Sequence, residues 1–276
     1  MLIEPLVRTA LLEDIAHGSD VTTDAIVDAD RRARGNVVSR EDGVVAGIDA
    51  AMLVFELLDA AQTVCDVRIA DGERVTRGSI VAQISGRART LLTGERTMLN
   101  LLCRLCGIAT ATRKLVDLIA GTKARLVDTR KTTPGLRALE KYAVRCGGGS
   151  NHRFGLDDAI LIKDNHLALA GSIEEAVRRA RAQAGHMVKI EVEVDTITQL
   201  REALTQPIDA VLLDNMTPVV LAEAVRIVDG AILTEASGGI RPETIRAVAQ
   251  TGVDLISAGW LTHSAPALDL GLDIEI

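Results

Sequence analysis

The chain has 276 residues and a formal net charge of −7, with 47% hydrophobic and 25% charged residues. That length fits one large domain or two ordinary ones, and the acidic balance speaks against a broad basic face for nucleic acid. Aromatic residues make up only 1%, which excludes the stacking platforms of single-strand binders and leaves a core of Leu, Ile, Val and Ala. The N-terminal MLIEPLVRTALLED carries acids early and lacks the basic-then-apolar order of a signal peptide. No apolar run approaches the roughly 20 residues of a membrane span.

To about residue 110, strand-type segments alternate with turns: 35–48, 63–75 and 78–88, with Asp42-Gly43 and Asp71-Gly72 as turn dipeptides. A helix is expected at Ala50–Leu58, and a long one from about Glu95 to Ala120, stopped by Gly121. Strands mixed with helices in this way suggest an α+β sandwich. The four cysteines, Cys65, Cys103, Cys106 and Cys146, are sparse enough to read as reduced thiols in a cytosolic chain. Cys103 and Cys106 form a lone C-x-x-C inside the helical apolar spacing. They are expected to be small buried side chains rather than metal ligands.

The second half repeats strand and helix. KIEVEV (189–194), AVLLDN (210–215), AILTEA (231–236) and DLISAG (254–259) each begin about 21–23 residues after the last. Ser172 to Glu175 and Thr196 to Gln199 match capping boxes, while Thr217-Pro218 and Arg241-Pro242 place proline at a helix start. With VD (127–128) and AILI (159–162) ahead, about six βα units result, which predicts a parallel sheet closed or nearly closed into a barrel.

Chemistry in such a barrel sits at the C-terminal strand ends, here Asp128, Lys163, Glu193, Asp214, Glu235 and Ser257. Lys189, Glu191, Glu193 and Asp195 alternate with Ile190, Val192 and Val194, so all four charges share one face. Either this is an edge strand with a wet face, or the barrel interior holds a charged ligand. Cations concentrate at 129–153, where Arg130, Lys131, Arg137, Lys141, Arg145 and Arg153 face one acid, Glu140. In an acidic chain, that cluster points to a small anion. Arg130, Lys131, His152, Arg153 and Lys163 could together hold two or more carboxylate or phosphate groups. Glu193 and Asp214 could hold ribose hydroxyls or a hydrated Mg²⁺. Ser237-Gly238-Gly239 and Ala258-Gly259 follow strands, where barrel loops often bind phosphate. His17, His186 and His263 are isolated and read as ordinary surface or capping residues.

Taken together, EDIAHGSDVTT (13–23), GERTMLNLLCRLCGIAT (94–110), DTRKTTPGLRALEKYAVRCGGGSNHRFGLDDAILIKDNH (128–166), EVEV (191–194), LLDNM (212–216), EASGGI (235–240) and DLISAGWLTHSAPALDLGL (254–272) resemble the quinolinate phosphoribosyltransferase family. The resemblance implies an N-terminal α+β sandwich domain at 1–110, joined by the tail 268–276, and an open α/β barrel at 111–267. It implies transfer of phosphoribose from phosphoribosyl pyrophosphate to quinolinate with loss of carbon dioxide and pyrophosphate. It also implies a cytoplasmic homodimer in which Arg96 reaches the partner's site. Under the same resemblance, Thr129, Arg130, Lys131, His152 and Arg153 hold quinolinate, and Lys131 and Lys163 face the phosphates and the reacting ring. Glu193 and Asp214 bind the ribose hydroxyls and Mg²⁺, and Ser237, Gly238, Gly239, Ala258 and Gly259 cradle the 5′-phosphate. Lys131, Lys163, Glu193 and Asp214 are the catalytic set. Cys106 stands where the family usually has serine, and Ala258 where valine is common. The competing readings are a same-fold transferase for another aromatic acid, a Schiff-base aldolase using Lys163, and a non-catalytic anion sensor.

Overall fold

The computed structural model describes residues 3–15 and 18–275; His17 lies outside the described residues. In chain order the first elements are α1 (Glu4–Ile15), α2 (Val21–Ile26), β1 (Arg32–Ser39), β2 (Gly43–Val44), α3 (Ile48–Asp59), β3 (Val64–Val67), β4 (Arg74–Val75), β5 (Ile80–Arg87) and α4 (Ala88–Leu118). Next come β6 (Arg125–Val127), α5 (Arg137–Cys146), β7 (Ile160–Ile162), α6 (Asp164–Ala170), α7 (Ile173–Gln183), β8 (Ile190–Val194), α8 (Ile197–Ala203) and β9 (Ala210–Asp214). The chain ends with α9 (Pro218–Val228), β10 (Leu233–Ser237), α10 (Pro242–Ala249), β11 (Leu255–Ser257), α11 (Trp260–His263) and β12 (Leu270–Glu275).

Two compact units share these elements. The first comprises Met1–Arg113, Thr133–Gly148 and Thr262–Ile276; the second comprises Lys114–Thr132 and Gly149–Leu261. In the first, an antiparallel sheet runs β12-β1-β5-β3. The C-terminal strand β12 pairs with β1 from Arg34↔Glu275 to Ser39↔Leu270. Val37, Ala82 and Ile84 of the sheet are buried with Phe55 of α3 and Leu91, Met98 and Leu102 of α4. Helix α4 begins at Ala88, ahead of the expected Glu95, and runs through Gly94 without a break. Gly94 is a packing residue there, since a Cβ would lie 2.8 Å from the Phe55 ring. Glu140 of α5 is fully buried and takes a 2.8 Å ion pair from Arg104 of α4. Cys106 is buried, its Sγ accepting from the Ala46 N–H at 3.3 Å, and burial pushes its thiol up to about 12.

The second unit is a six-stranded parallel sheet in the order β6-β11-β10-β9-β8-β7, with helices between the strands. All six strands form within a few residues of the sequence expectation. The cap chemistry explains where the helices start. The Ser172 hydroxyl accepts from Glu175 N–H, and Thr196 and Gln199 form a reciprocal capping box. Pro218 and Pro242 open α9 and α10. Strand β8 lies between β7 and β9, so its charged alternation is not that of an edge.

The sheet is extended beyond β6 by an irregular segment. Ser150 bridges Val127 in parallel, its N–H donating to Leu126 O at 2.8 Å. Arg153 then donates to Ala159 O, next to β7, at 2.8 Å. Residues 150–153 therefore bond to both edges of the sheet, and the wall curls into an incompletely closed barrel. The fold class is the expected one, an antiparallel-sheet domain followed by an α/β unit built on a parallel sheet.

Candidate active site

The alternating face of β8 points into the barrel, and three of its charges meet a partner, while Asp195 beyond the strand end is exposed. Lys189, at the entry end, pairs with Asp209 at 2.8 Å. Glu191, in the middle, lies 3.2 Å from His152 Nε2. Glu193, near the exit, takes an ion pair from Lys163. The interior carboxylates are thus partnered, Glu191 by a histidine ring and Glu193 by a lysine, which is how a parallel strand tolerates ions that would otherwise cost several kcal/mol each.

A cavity of about 420 Å³ opens among Thr129, Arg130, Lys131, His152, Arg153, Lys163, Glu193, Asp214, Glu235, Ser237 and Ser257, within the range typical of small-ligand sites. Nine of the expected residues (Thr129, Arg130, Lys131, His152, Arg153, Lys163, Glu193, Asp214 and Ser237) are therefore brought together at one site. Four cations converge there. Arg153 has its guanidinium pushed below the usual range, by burial first and then by the charge of Arg130, with Glu191 opposing. The Nε of Arg130 is buried with no hydrogen-bond partner. Two guanidiniums this close call for an anion between them. The Thr129 hydroxyl accepts from Lys131 N–H at 3.0 Å and shapes the loop that presents Lys131.

On the opposite wall Asp214 ends β9 and Ser237 ends β10. Asn215 has φ +54, and its amide donates to Asp214 Oδ2 at 2.6 Å. Its N–H donates to Ser237 O. Gly238 follows at φ +88, where a Cβ would lie 2.1 Å from Asn215 Oδ1. Two independent constraints, conformation and space, thus require glycine at 238. Gly239 continues the turn at φ +62 before α10 begins.

Several residues play roles that the sequence did not suggest. Asp128 is fully buried and does not line the cavity. Its two oxygens accept from Asn151 Nδ2 at 2.6 Å and His152 N–H at 2.8 Å, clasping the 150–153 segment to β6. Glu235 is not at the mouth either, since β10 runs on to Ser237 and leaves Glu235 1% exposed, mid-barrel. His152 was expected to hold a substrate carboxylate, but both ring nitrogens are taken by protein groups, Nδ1 by Arg153 N–H and Nε2 by Glu191. Ala258 is buried and its N–H donates to Val127 O, so it offers the phosphate cradle no free donor. Gly259 follows β11 at the expected place. Arg96 is an exposed residue of α4 in the first unit and does not line this cavity. Of the isolated histidines, His186 is exposed and His263 contacts Ser264 at 2.6 Å. Asn215 is the site residue that sequence reasoning gives no role, while Asp128 and Glu191 are singled out by position but not by their part in holding the 150–153 segment. The period-two pattern of β8 puts Glu191 on the inner face but does not give its partner, His152.

The amino-acid patterns and this geometry agree with what comparison finds. The family model for the quinolinate phosphoribosyl transferase C-terminal domain matches residues 108–273, and the N-terminal model matches 20–106. This chain belongs to the quinolinate phosphoribosyl transferase family. Its relatives in that family include a probable nicotinate-nucleotide pyrophosphorylase [carboxylating] of Bacillus subtilis, 45% identical over 99% of this chain and 94% of the relative. Another is the nicotinate-nucleotide pyrophosphorylase [carboxylating] of Mycobacterium leprae, 47% identical over 97% of this chain and 95% of the relative. Among solved structures, the nicotinate-nucleotide pyrophosphorylase from Francisella tularensis superposes with a TM-score of 0.95 at 41% identity, covering 99% of this chain and 96% of the other. The family's N-terminal and C-terminal domains are thus both present in this chain.

Proposed function

We propose that this protein transfers the phosphoribosyl group of phosphoribosyl pyrophosphate to quinolinate, giving nicotinate mononucleotide, carbon dioxide and pyrophosphate for NAD synthesis. The observation that carries the reading is the convergence of Arg130, Lys131, Arg153 and Lys163 opposite Glu193 and Asp214 in one cavity. A dicarboxylate and a pyrophosphate ester together demand such a cation excess. A developing ribose cation demands the facing carboxylates.

In this reading Arg130 and Arg153 hold the quinolinate carboxylates and orient the ring nitrogen toward the ribose. The nitrogen forms a bond to the anomeric carbon as the bond to pyrophosphate breaks, and the electron pair leaves with pyrophosphate. Glu193 and Asp214 stabilise the positive charge on the ribose, as carboxylates do in glycoside cleavage. The N-ribosylated ring is cationic, so the bond from C2 to its carboxylate can break with the pair held beside the ring nitrogen. A proton then replaces carbon dioxide at C2. Lys163, paired with Glu193, and Lys131 bring positive charge to the reacting groups.

The donor set suits Mg²⁺. Glu193 and Asp214 are hard oxygen ligands, and each uses one oxygen on a neighbour, Lys163 and Asn215 respectively. That leaves one oxygen each for a hydrated ion, which retains most of its water. Bound Mg²⁺ supplies charge neutralisation for the departing pyrophosphate.

The same reading includes a homodimer in which Arg96 serves the partner's site, and a cytoplasmic location, in keeping with sparse, unpaired cysteines. Among the described residues no helix is long and apolar enough to cross a membrane. The test is incubation with quinolinate, phosphoribosyl pyrophosphate and Mg²⁺, following nicotinate mononucleotide by mass. Product that requires both substrates is expected. No product from folded protein overturns the quinolinate assignment.

A further inference from the structure

The middle of the barrel holds a cluster that the proposed chemistry does not use. His152, Glu191 and Glu235 bring one ring nitrogen and two carboxylate oxygens within 4.8 Å of one another. Their side chains are 14%, 12% and 1% exposed. By size and composition this could be a cation site. One hydrogen bond argues otherwise. The backbone N–H of Arg153 donates to His152 Nδ1 at 2.7 Å, so Nδ1 carries the lone pair and the ring proton sits on Nε2. A protonated Nε2 has no pair to give a metal. It donates instead, to Glu191 Oε2 at 3.2 Å, with Glu235 Oε2 on the same side at 3.5 Å.

The segment carrying His152 is therefore clamped from several sides. Ser150 N–H bonds to Leu126 O, His152 N–H to Asp128, the His152 ring to Glu191, and Arg153 N–H to the His152 ring. Arg153 is the residue that carries this clamp to the anion cavity, where its guanidinium lies near Arg130 with Nη1 donating to Ala159 O at 2.8 Å. Without a hydrogen-bonded ring, the Arg153 backbone loses the acceptor that sets its direction.

We propose that Glu191 and Glu235 are positioning residues for quinolinate recognition. They hold His152 in the Nε2–H tautomer, His152 fixes the Arg153 backbone through Nδ1, and Arg153 thereby meets a substrate carboxylate at a set place. The proposal rests on the reading of the cavity as the quinolinate site. It assigns His152 to support rather than to substrate contact.

Two measurements test it. The first needs no substrate. Long-range ¹⁵N–¹H correlation on ¹⁵N-histidine-labelled protein should show His152 with a pyrrole-type Nε2 and a pyridine-type Nδ1. The pattern should give way to mixed tautomers in Glu191→Ala and Glu235→Ala. A wild-type ring protonated on Nδ1 overturns the proposal.

The second is steady-state kinetics on the same variants with Glu191→Gln and Glu235→Gln beside them. The alanine variants should raise KM for quinolinate by about 10–100-fold, the usual cost of removing a group that orients a ligand's contact, and change KM for phosphoribosyl pyrophosphate by less than about threefold. The glutamine variants, whose amide oxygen can accept the same Nε2–H, should recover to within about threefold of wild type. Equal rises in both KM values, or folded glutamine variants as impaired as alanine, overturn the proposal. If the alanine chains do not fold, the glutamine variants and the wild-type tautomer still decide it. Absence of any turnover in wild type counts against the proposed function, while the tautomer measurement judges the clamp separately.

Discussion

Glu235 shows what depth in the barrel does to a single carboxyl. It is 1% exposed and its Oε1 has no hydrogen-bond partner. Burial, and then the charge of Glu191, hold its pKa up from 4.5 to about 7. The unfolded chain releases this proton near the ordinary carboxylate value, and the folded chain releases it later. Between the two, the folded state binds more protons, so stability falls as pH rises through this window and stays reduced above it. Glu235→Gln removes the ionisable group while keeping its size. Its melting temperature should match wild type near pH 5 and exceed it at pH 8, measured by thermal unfolding across that range. A difference between the two proteins that does not change with pH would sink this account of Glu235.

At the scale of elements, helix α4 depends on a contact that its own sequence does not announce. Gly107 sits in its interior, where glycine costs roughly 1 kcal/mol relative to alanine. An added Cβ would lie 2.0 Å from Pro266 O and 2.9 Å from Ala267 Cα. Both are backbone atoms and cannot rotate away. Gly107→Ala should therefore destabilise the chain by about 3 kcal/mol or more despite its better helix propensity, read as a lower midpoint in chemical denaturation. A neutral or stabilising effect would mean the return segment yields. The six barrel strands were legible for the opposite reason. Buried parallel strands are apolar runs, and proline, Ser and Thr caps punctuate the helices between them. The segment 150–153 was not legible as part of the wall, because its hold on β6 runs through the Asp128 side chain and two backbone bonds rather than through an apolar pattern. Depth was lost in the same way. Alternation places Glu191 and Glu193 on one face, but which of them meets the ligand and which the buried histidine depends on strand register. Lys163, Glu193 and Asp214 were found because they end strands. The strand-type run 231–236 puts Glu235 at a strand end, but β10 continues through Ser237 and leaves it deeper.

At the scale of the whole molecule, the proposed function has a second chain complete each site. The cavity in the second unit gathers its cations from Arg130, Lys131, Arg153 and Lys163, while Arg96 stands exposed on α4 of the first unit. A shared site predicts a specific asymmetry. An Arg96→Ala chain retains its own barrel but denies its partner a cation. An Asp214→Ala chain has a damaged barrel but can still lend Arg96. Each homodimer should lose most activity. A mixed dimer should contain one site built from the intact barrel of the first chain and the intact Arg96 of the second, alongside one doubly damaged site. Random mixing of the two chains should thus restore up to roughly a quarter of wild-type activity per site, because half the dimers are mixed and half of their sites are whole. The measurement is nicotinate mononucleotide formation by refolded mixtures, with mixed dimers verified by differential tags. Verified mixed dimers as inactive as either parent would place Arg96 in service of its own chain or of no site at all.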